Sequence, residues 1–158
     1  MQQMELFEEQ VQRKPEDRDE IETMKAANRI LLEIHRLMGL LRFNPGPDGV
    51  YIARCSPDNN ILHELAEHFT LRFGETPWAI IDEKRGLCLC KENGGPARLF
   101  NLPSSFTTEE NSKDSWEDLW RLYHKSVNNE SRNNPSLQRQ FMPVRYQKYL
   151  PELKIDVK

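Results

Sequence analysis

The chain is poor in the features that mark a secreted scaffold, a membrane protein or a common catalyst. Its three cysteines, Cys55, Cys88 and Cys90, are too few for a disulfide framework in 158 residues. No apolar run reaches the roughly 18 residues that a membrane span needs. The acidic N-terminus lacks the apolar stretch of a signal peptide. These absences lead to the expectation of a cytoplasmic protein in a reducing compartment, with no membrane partner. Nothing in the chain resembles a phosphate-binding loop, a nucleophile elbow or a dinucleotide fingerprint, and no internal repeat is present. Catalytic residues therefore go unassigned, and neither a metal nor a cofactor is expected.

What the chain does have is charge, unevenly spread. The formal net charge is −3 and charged residues make up 30%, so the molecule is not globally basic. Residues 1–24 hold eight acids against Arg13, Lys14 and Arg18. Residues 116–150 reverse the balance, with Arg121, Lys125, Arg132, Arg139, Arg145 and Lys148 against Glu117, Asp118 and Glu130. A near-neutral average thus hides a basic segment, and a local face is what an anionic partner meets. Aromatics are interleaved with these cations: Trp116, Trp120, Tyr123, Phe141, Tyr146 and Tyr149. That mixture suits stacking on bases and neutralising phosphates. Arginine also outnumbers lysine, 13 to 9, which favours planar contacts to phosphate or carboxylate.

The periodicity predicts a single α+β domain over 17–152, with an acidic tail at 1–16 and a short C-terminal tail at 153–158. Ile21, Met24, Leu31, Ile34, Met38 and Leu41 form one stripe of a helix from Asp17 to Arg42. The string Asn44-Pro-Gly-Pro-Asp-Gly49 stops it. Val50–Cys55, Trp78–Asp82 and Leu87–Lys91 read as strands. Ser56 and Pro57 fit the N-cap and first position of a helix running to Phe73, with Gly74 at its end. Residues 101–114 read as a surface loop. A helix from Ser115, a turn at Asn133-Asn-Pro135 and short helices on either side of Pro143 complete the chain. The expected architecture is a small three-stranded antiparallel sheet packed by helices, in the order α-β-α-β-β-α-α.

Several constellations invite a chemical reading. His63 and His68 sit in a string like a zinc-protease motif, but their spacing of five turns the second imidazole about 140° away from the first. Cys88 and Cys90 share one side of a strand, with Cys55 available from a neighbour; a small buried hydrophobe is the ordinary role for each. Glu33, His35, Arg36 and Arg42, with Arg72 and Arg85, could form a polar anion-handling pocket if they converge. Trp116, Trp120 and Tyr123 make one helical stripe, whose two tryptophans are expected to be mainly core. Arg121, His124 and Lys125 fall off it and are expected at the surface.

Several segments together resemble a bacterial family described as probable DNA metabolism proteins. They are Glu33-Ile-His-Arg-Leu-Met-Gly-Leu-Leu-Arg-Phe43, Pro57-Asp58, His68-Phe-Thr-Leu-Arg-Phe73 and Pro77-Trp-Ala-Ile-Ile-Asp-Glu-Lys-Arg85, then Leu119-Trp-Arg-Leu-Tyr123 and Arg132-Asn-Asn-Pro-Ser-Leu-Gln138 through Phe141-Met-Pro-Val-Arg-Tyr146 to Leu150-Pro-Glu152. The likeness covers about 17–152. It departs at Asn128–Ser131, where an apolar residue is expected before Arg132-Asn133. Longer members carry an additional N-terminal region where this chain has its acidic tail. The resemblance implies a role beside a radical S-adenosylmethionine protein that modifies or repairs DNA. It also implies kinship with domains fused to uracil-DNA glycosylase-like domains. The catalytic centres would lie in those partners.

The leading expectation is an accessory domain of DNA metabolism or repair. It would bind nucleic acid through Arg121, Lys125, Arg132, Arg139, Arg145, Tyr146, Lys148 and Tyr149. The alternative is a protein-interaction module docking on the radical enzyme or the glycosylase-like protein without touching DNA. An enzyme built on the Glu33 pocket is the third reading.

Overall fold

A computed structural model of the chain describes residues 18–103 and 115–153. Within them the elements run α1 (Arg18–Leu40), β1 (Phe43–Pro45), β2 (Tyr51–Cys55), α2 (Leu62–Phe73), β3 (Trp78–Asp82), β4 (Leu87–Lys91), β5 (Arg98–Asn101), α3 (Ser115–Val127), α4 (Pro135–Phe141) and α5 (Val144–Gln147). Short 3-10 turns occupy Pro47–Gly49, Glu130–Arg132 and Pro151–Leu153. The expected 1–16 tail, most of the 101–114 loop and residues 154–158 lie outside the described residues.

The fold is α+β, but the sheet is not the three-stranded antiparallel one expected from the sequence. It has five strands in the order β1-β2-β3-β4-β5. It is also mixed. β2 and β3 run parallel, from Tyr51 opposite Trp78 to Cys55 opposite Asp82, while the other three pairs are antiparallel. The reason is the connection. α2 carries the chain from the end of β2 back to its start, so β3 must run in the same direction, as strand–helix–strand units do.

The two additional strands form the sheet edges. β1 contains Pro45, which an edge strand tolerates because its missing N–H would not enter the ladder. The Gly46 N–H closes the β1–β2 turn on the Val50 carbonyl at 2.8 Å. A Cβ on Gly46 would lie 2.6 Å from Ile52 Cδ1, so any larger residue there must push the Ile52 side chain aside. β5 is four residues long and exposed throughout.

The chain divides into two compact units, one up to Leu32 and one from Glu33 onward. In the first, α1 exposes Met24, Ile30, Leu31 and Leu32. In the second, Leu37 and Leu41 are buried with Ala53, Cys55, Leu62, Leu65, Phe69, Trp78, Ile80, Leu89 and Tyr146. The rings of Phe43, Phe69, Phe73 and Trp78 meet in this core, with Phe43 and Phe73 centroids 4.7 Å apart. Fully burying side chains of this size stabilises by about 1.5–3 kcal/mol each, which is why the sheet face towards α2 fixes the register.

α2 begins at Leu62 rather than at Pro57. Ile61 holds its N-cap position without a side-chain hydrogen bond. Residues 57–61 form a loop, because the Asp58 and Asn59 amides are bound elsewhere, as described next.

Candidate functional site

Glu33 is 2% exposed, an unusual state for a glutamate. Its Oε1 accepts the Asp58 N–H at 2.7 Å and the Tyr146 hydroxyl at 2.6 Å. Its Oε2 accepts the Asn59 N–H at 3.0 Å and the Asn59 Nδ2 at 2.7 Å. Arg145 approaches Oε1 at 3.5 Å and pairs with Asp58 at 2.7 Å. Burial pushes the Glu33 carboxyl up, but the hydrogen bonds from Tyr146, Asp58 and Asn59 outweigh it and hold it below the usual carboxylate range. Burial, followed by donation to Glu33, raises the Tyr146 phenol. Both oxygens of Glu33 are occupied, so the carboxylate closes a structural clasp and offers no free base.

The other side of the 57–61 loop is held by Arg85. Its guanidinium donates to the carbonyls of Pro57 and Asp58 and pairs with Asp82 Oδ2 at 2.8 Å. Asp82 is fully buried and also accepts the N–H groups of Lys84 and Arg85 at 2.9 and 3.2 Å. Of the predicted polar pocket, therefore, only Glu33 and Arg85 reach a common loop, and they grip different backbone groups. His35 and Arg72 do not join them: His35 is exposed on α1 and Arg72 is exposed on α2. Arg36 donates to the Gln140 carbonyl at 3.1 Å, and Arg42 pairs with Glu152 at 2.9 Å. The six side chains form no cleft.

The predicted nucleic-acid residues divide in the same way. Arg145 belongs to the Glu33 clasp. Tyr146 is 1% exposed, so its ring is core and presents no stacking surface. Lys148 Nζ lies 3.3 Å from Glu83 Oε2, to which the Tyr149 hydroxyl also donates. Arg121 Nε donates to the Pro151 carbonyl at 3.1 Å. Lys125, Arg132 and Arg139 are exposed and form no ion pair among the described residues.

On α3, contrary to expectation, Trp120 does not sit in the core, and the side chain of Trp116 lies outside the described residues. Trp120 and Tyr123 are 43% and 55% exposed, and their ring centroids lie 5.7 Å apart at 31°. The Trp120 indole N–H donates to Glu152 Oε2 at 3.2 Å, while Glu152 Oε1 holds Arg42. Burial pushes the Glu152 carboxyl up, but its own backbone N–H, Arg42 and Trp120 together bring it below the usual range. The indole is thus anchored at one edge with part of its ring surface open. Leu119, Leu122 and Val127 on the same helix are more than half exposed. Sequence reasoning assigns Glu152 no role; its only signal is its position beside the prolines and aromatics Pro143, Tyr146, Tyr149 and Pro151.

Cys88 and Cys90 lie side by side, with a hydrogen bond between their thiols, but Cys55 does not join them. Cys55 is buried in the core, where burial raises its thiol well above the ordinary value. Cys88 and Cys90 are half-buried, pair with Ile81 and Ala79 in β3, and lie out of that cluster. Burial pushes the Cys88 thiol up to about 11, so it is protonated at neutral pH. No cluster of three or more His, Cys, Asp or Glu among the described residues is placed to hold a metal, and no described helix is long and apolar enough to cross a membrane.

Fold and site together define an α+β domain whose buried polar groups are structural and whose segment from α3 to α4 exposes aromatic, aliphatic and basic side chains. The chain belongs to DUF4130, a family defined by a domain of unknown function, which matches residues 2–152. Comparison with curated proteins and with solved structures gave no match.

Proposed function

We propose that the chain is an accessory domain of DNA metabolism that binds nucleic acid through the segment from α3 to α4. The observation that carries this reading is the coincidence, in one short stretch, of exposed aromatic rings and cations that form no ion pair among the described residues. Trp120 and Tyr123 supply the rings, and Lys125, Arg132 and Arg139 supply the charge. Arg145, Tyr146, Lys148 and Tyr149 are left out, because Glu33 and Glu83 engage them. The resemblance to probable DNA metabolism proteins supports the setting, beside a radical S-adenosylmethionine protein or a uracil-DNA glycosylase-like protein that carries the chemistry.

The test is fluorescence anisotropy with labelled DNA across a salt series. Replacing Lys125, Arg132 and Arg139 together by Ala weakens binding for every sequence and lowers the salt slope by about two. An unchanged affinity and slope overturn the reading.

A second reading is favoured by the aliphatic part of the same surface. Leu119, Leu122, Val127 and Leu137 are each at least half exposed, and exposed apolar surface of this kind is characteristic of protein–protein contacts. Here the segment docks on the radical enzyme or the glycosylase-like protein without DNA contact. A salt-insensitive complex with either, together with no shift of labelled DNA, distinguishes this reading from the first.

A further inference from the structure

We propose that the nucleic acid taken by this surface is single-stranded, with an unpaired base stacked on the Trp120–Tyr123 pair, and that Glu152 is the positioning residue that holds the indole ready. This inference rests on the reading of the α3–α4 segment as a nucleic-acid surface.

Three observations point to single strands. The first is the kind of contact available. Trp120 and Tyr123 are exposed and lie 5.7 Å apart. A ring face stacks on a base face, and a duplex hides its base faces inside the helix, whereas a single strand offers them freely. The second is the rigidity of the platform. The Trp120 indole is tied to Glu152, whose side chain is 7% exposed and whose other oxygen holds Arg42. A ring held in one orientation loses less freedom when a base settles on it, so anchoring raises affinity without adding a contact. The third is the sparseness of the charge. Lys125, Arg132 and Arg139 are few and well spaced along the chain. That suits the flexible backbone of a single strand, while specific duplex binding commonly draws on a denser set of phosphate contacts.

The full chain is titrated against a labelled 15-nucleotide single strand of mixed sequence and against the duplex of the same sequence. Anisotropy is read at several salt concentrations. The single strand binds about tenfold or more tightly than the duplex. Trp120→Ala lowers single-strand affinity about tenfold, in the range measured for loss of one stacked base, while Trp120→Phe, which keeps a ring, loses less. Glu152→Ala lowers affinity in the native background but has no further effect in a Trp120→Ala background, and that loss of effect separates positioning from general destabilisation. Circular dichroism of each variant verifies folding, and Tyr123→Ala gives an independent reading of the platform if Trp120→Ala does not fold.

Equal affinity for duplex and single strand overturns the inference while leaving the nucleic-acid reading intact, as does binding that neither Trp120→Ala nor Tyr123→Ala alters. No binding of either form at low salt overturns the nucleic-acid reading itself and turns the surface over to a protein partner.

Discussion

Glu33 gives the clearest residue-scale lesson. A buried carboxylate is stable only when its charge is matched by donors, and here three groups from the 57–61 loop and one phenol supply them. Glu33→Ala leaves those donors unpaired and costs about 3–5 kcal/mol, the range for breaking a buried charged network, as measured by urea denaturation. Tyr146→Phe keeps the ring but removes the hydrogen bond donated to Glu33 and the one accepted from Arg145; loss of the bond to the buried carboxylate alone costs about 1.5–3 kcal/mol. The sign with pH follows from the depressed carboxyl. The Glu33 contribution is fully present above the ordinary carboxylate range and is lost as pH falls through the lower folded value. Stability measured as the pH is lowered from neutral therefore declines in the native chain, and Glu33→Gln flattens that decline. By contrast, Lys148→Ala removes an exposed pair with Glu83 and changes stability by at most about 1 kcal/mol.

At the scale of elements, two glycines test how the helices are built and ended. Gly39 lies within α1, and a Cβ there would meet nothing within 4 Å. Gly39→Ala accordingly stabilises by up to about 1 kcal/mol, since alanine favours a helix over glycine by that amount. Gly74 ends α2 at φ 56, ψ −120, where its N–H reaches the Thr70 carbonyl. A side chain is strained in that region, so Gly74→Ala costs about 1–3 kcal/mol. Thermal melts of the two variants should move in opposite directions. β3 and β4 were legible because Trp78–Asp82 and Leu87–Lys91 are apolar runs bounded by turn residues. β1 was hidden, since Phe43-Asn-Pro45 overlaps a turn signal and earns its strand only by pairing with β2. β5 was hidden by its brevity and by lying fully at the surface. The parallel β2–β3 pair could have been inferred from the helix between them, but strand patterns carry no direction. Sequence reasoning groups Glu33 with His35, Arg36 and Arg42 in a polar pocket, because its actual donors lie 25, 26 and 113 residues away. Trp120 fitted a core stripe that α3 leaves open.

On the scale of the whole molecule, order is graded. β2, β3 and β4 lie inside the sheet and are covered by α2, while α3 rests chiefly on the Pro151–Leu153 turn. Native-state hydrogen exchange is therefore slowest in β2–β4 and α2 and fastest in α3 and α4, because local opening follows the amount of buried packing. Uniform protection across these elements would contradict that gradient. Under the proposed reading, recognition falls on a helix with little buried packing. One consequence concerns synthesis on the ribosome. Glu33 emerges early, yet the phenol that completes its cage is 113 residues downstream. A nascent chain can assemble the sheet and α2 while this carboxylate still lacks Tyr146 and Arg145. Final closure then waits for α5 to leave the exit tunnel, and until it does the partly built domain is open to chaperones and proteases.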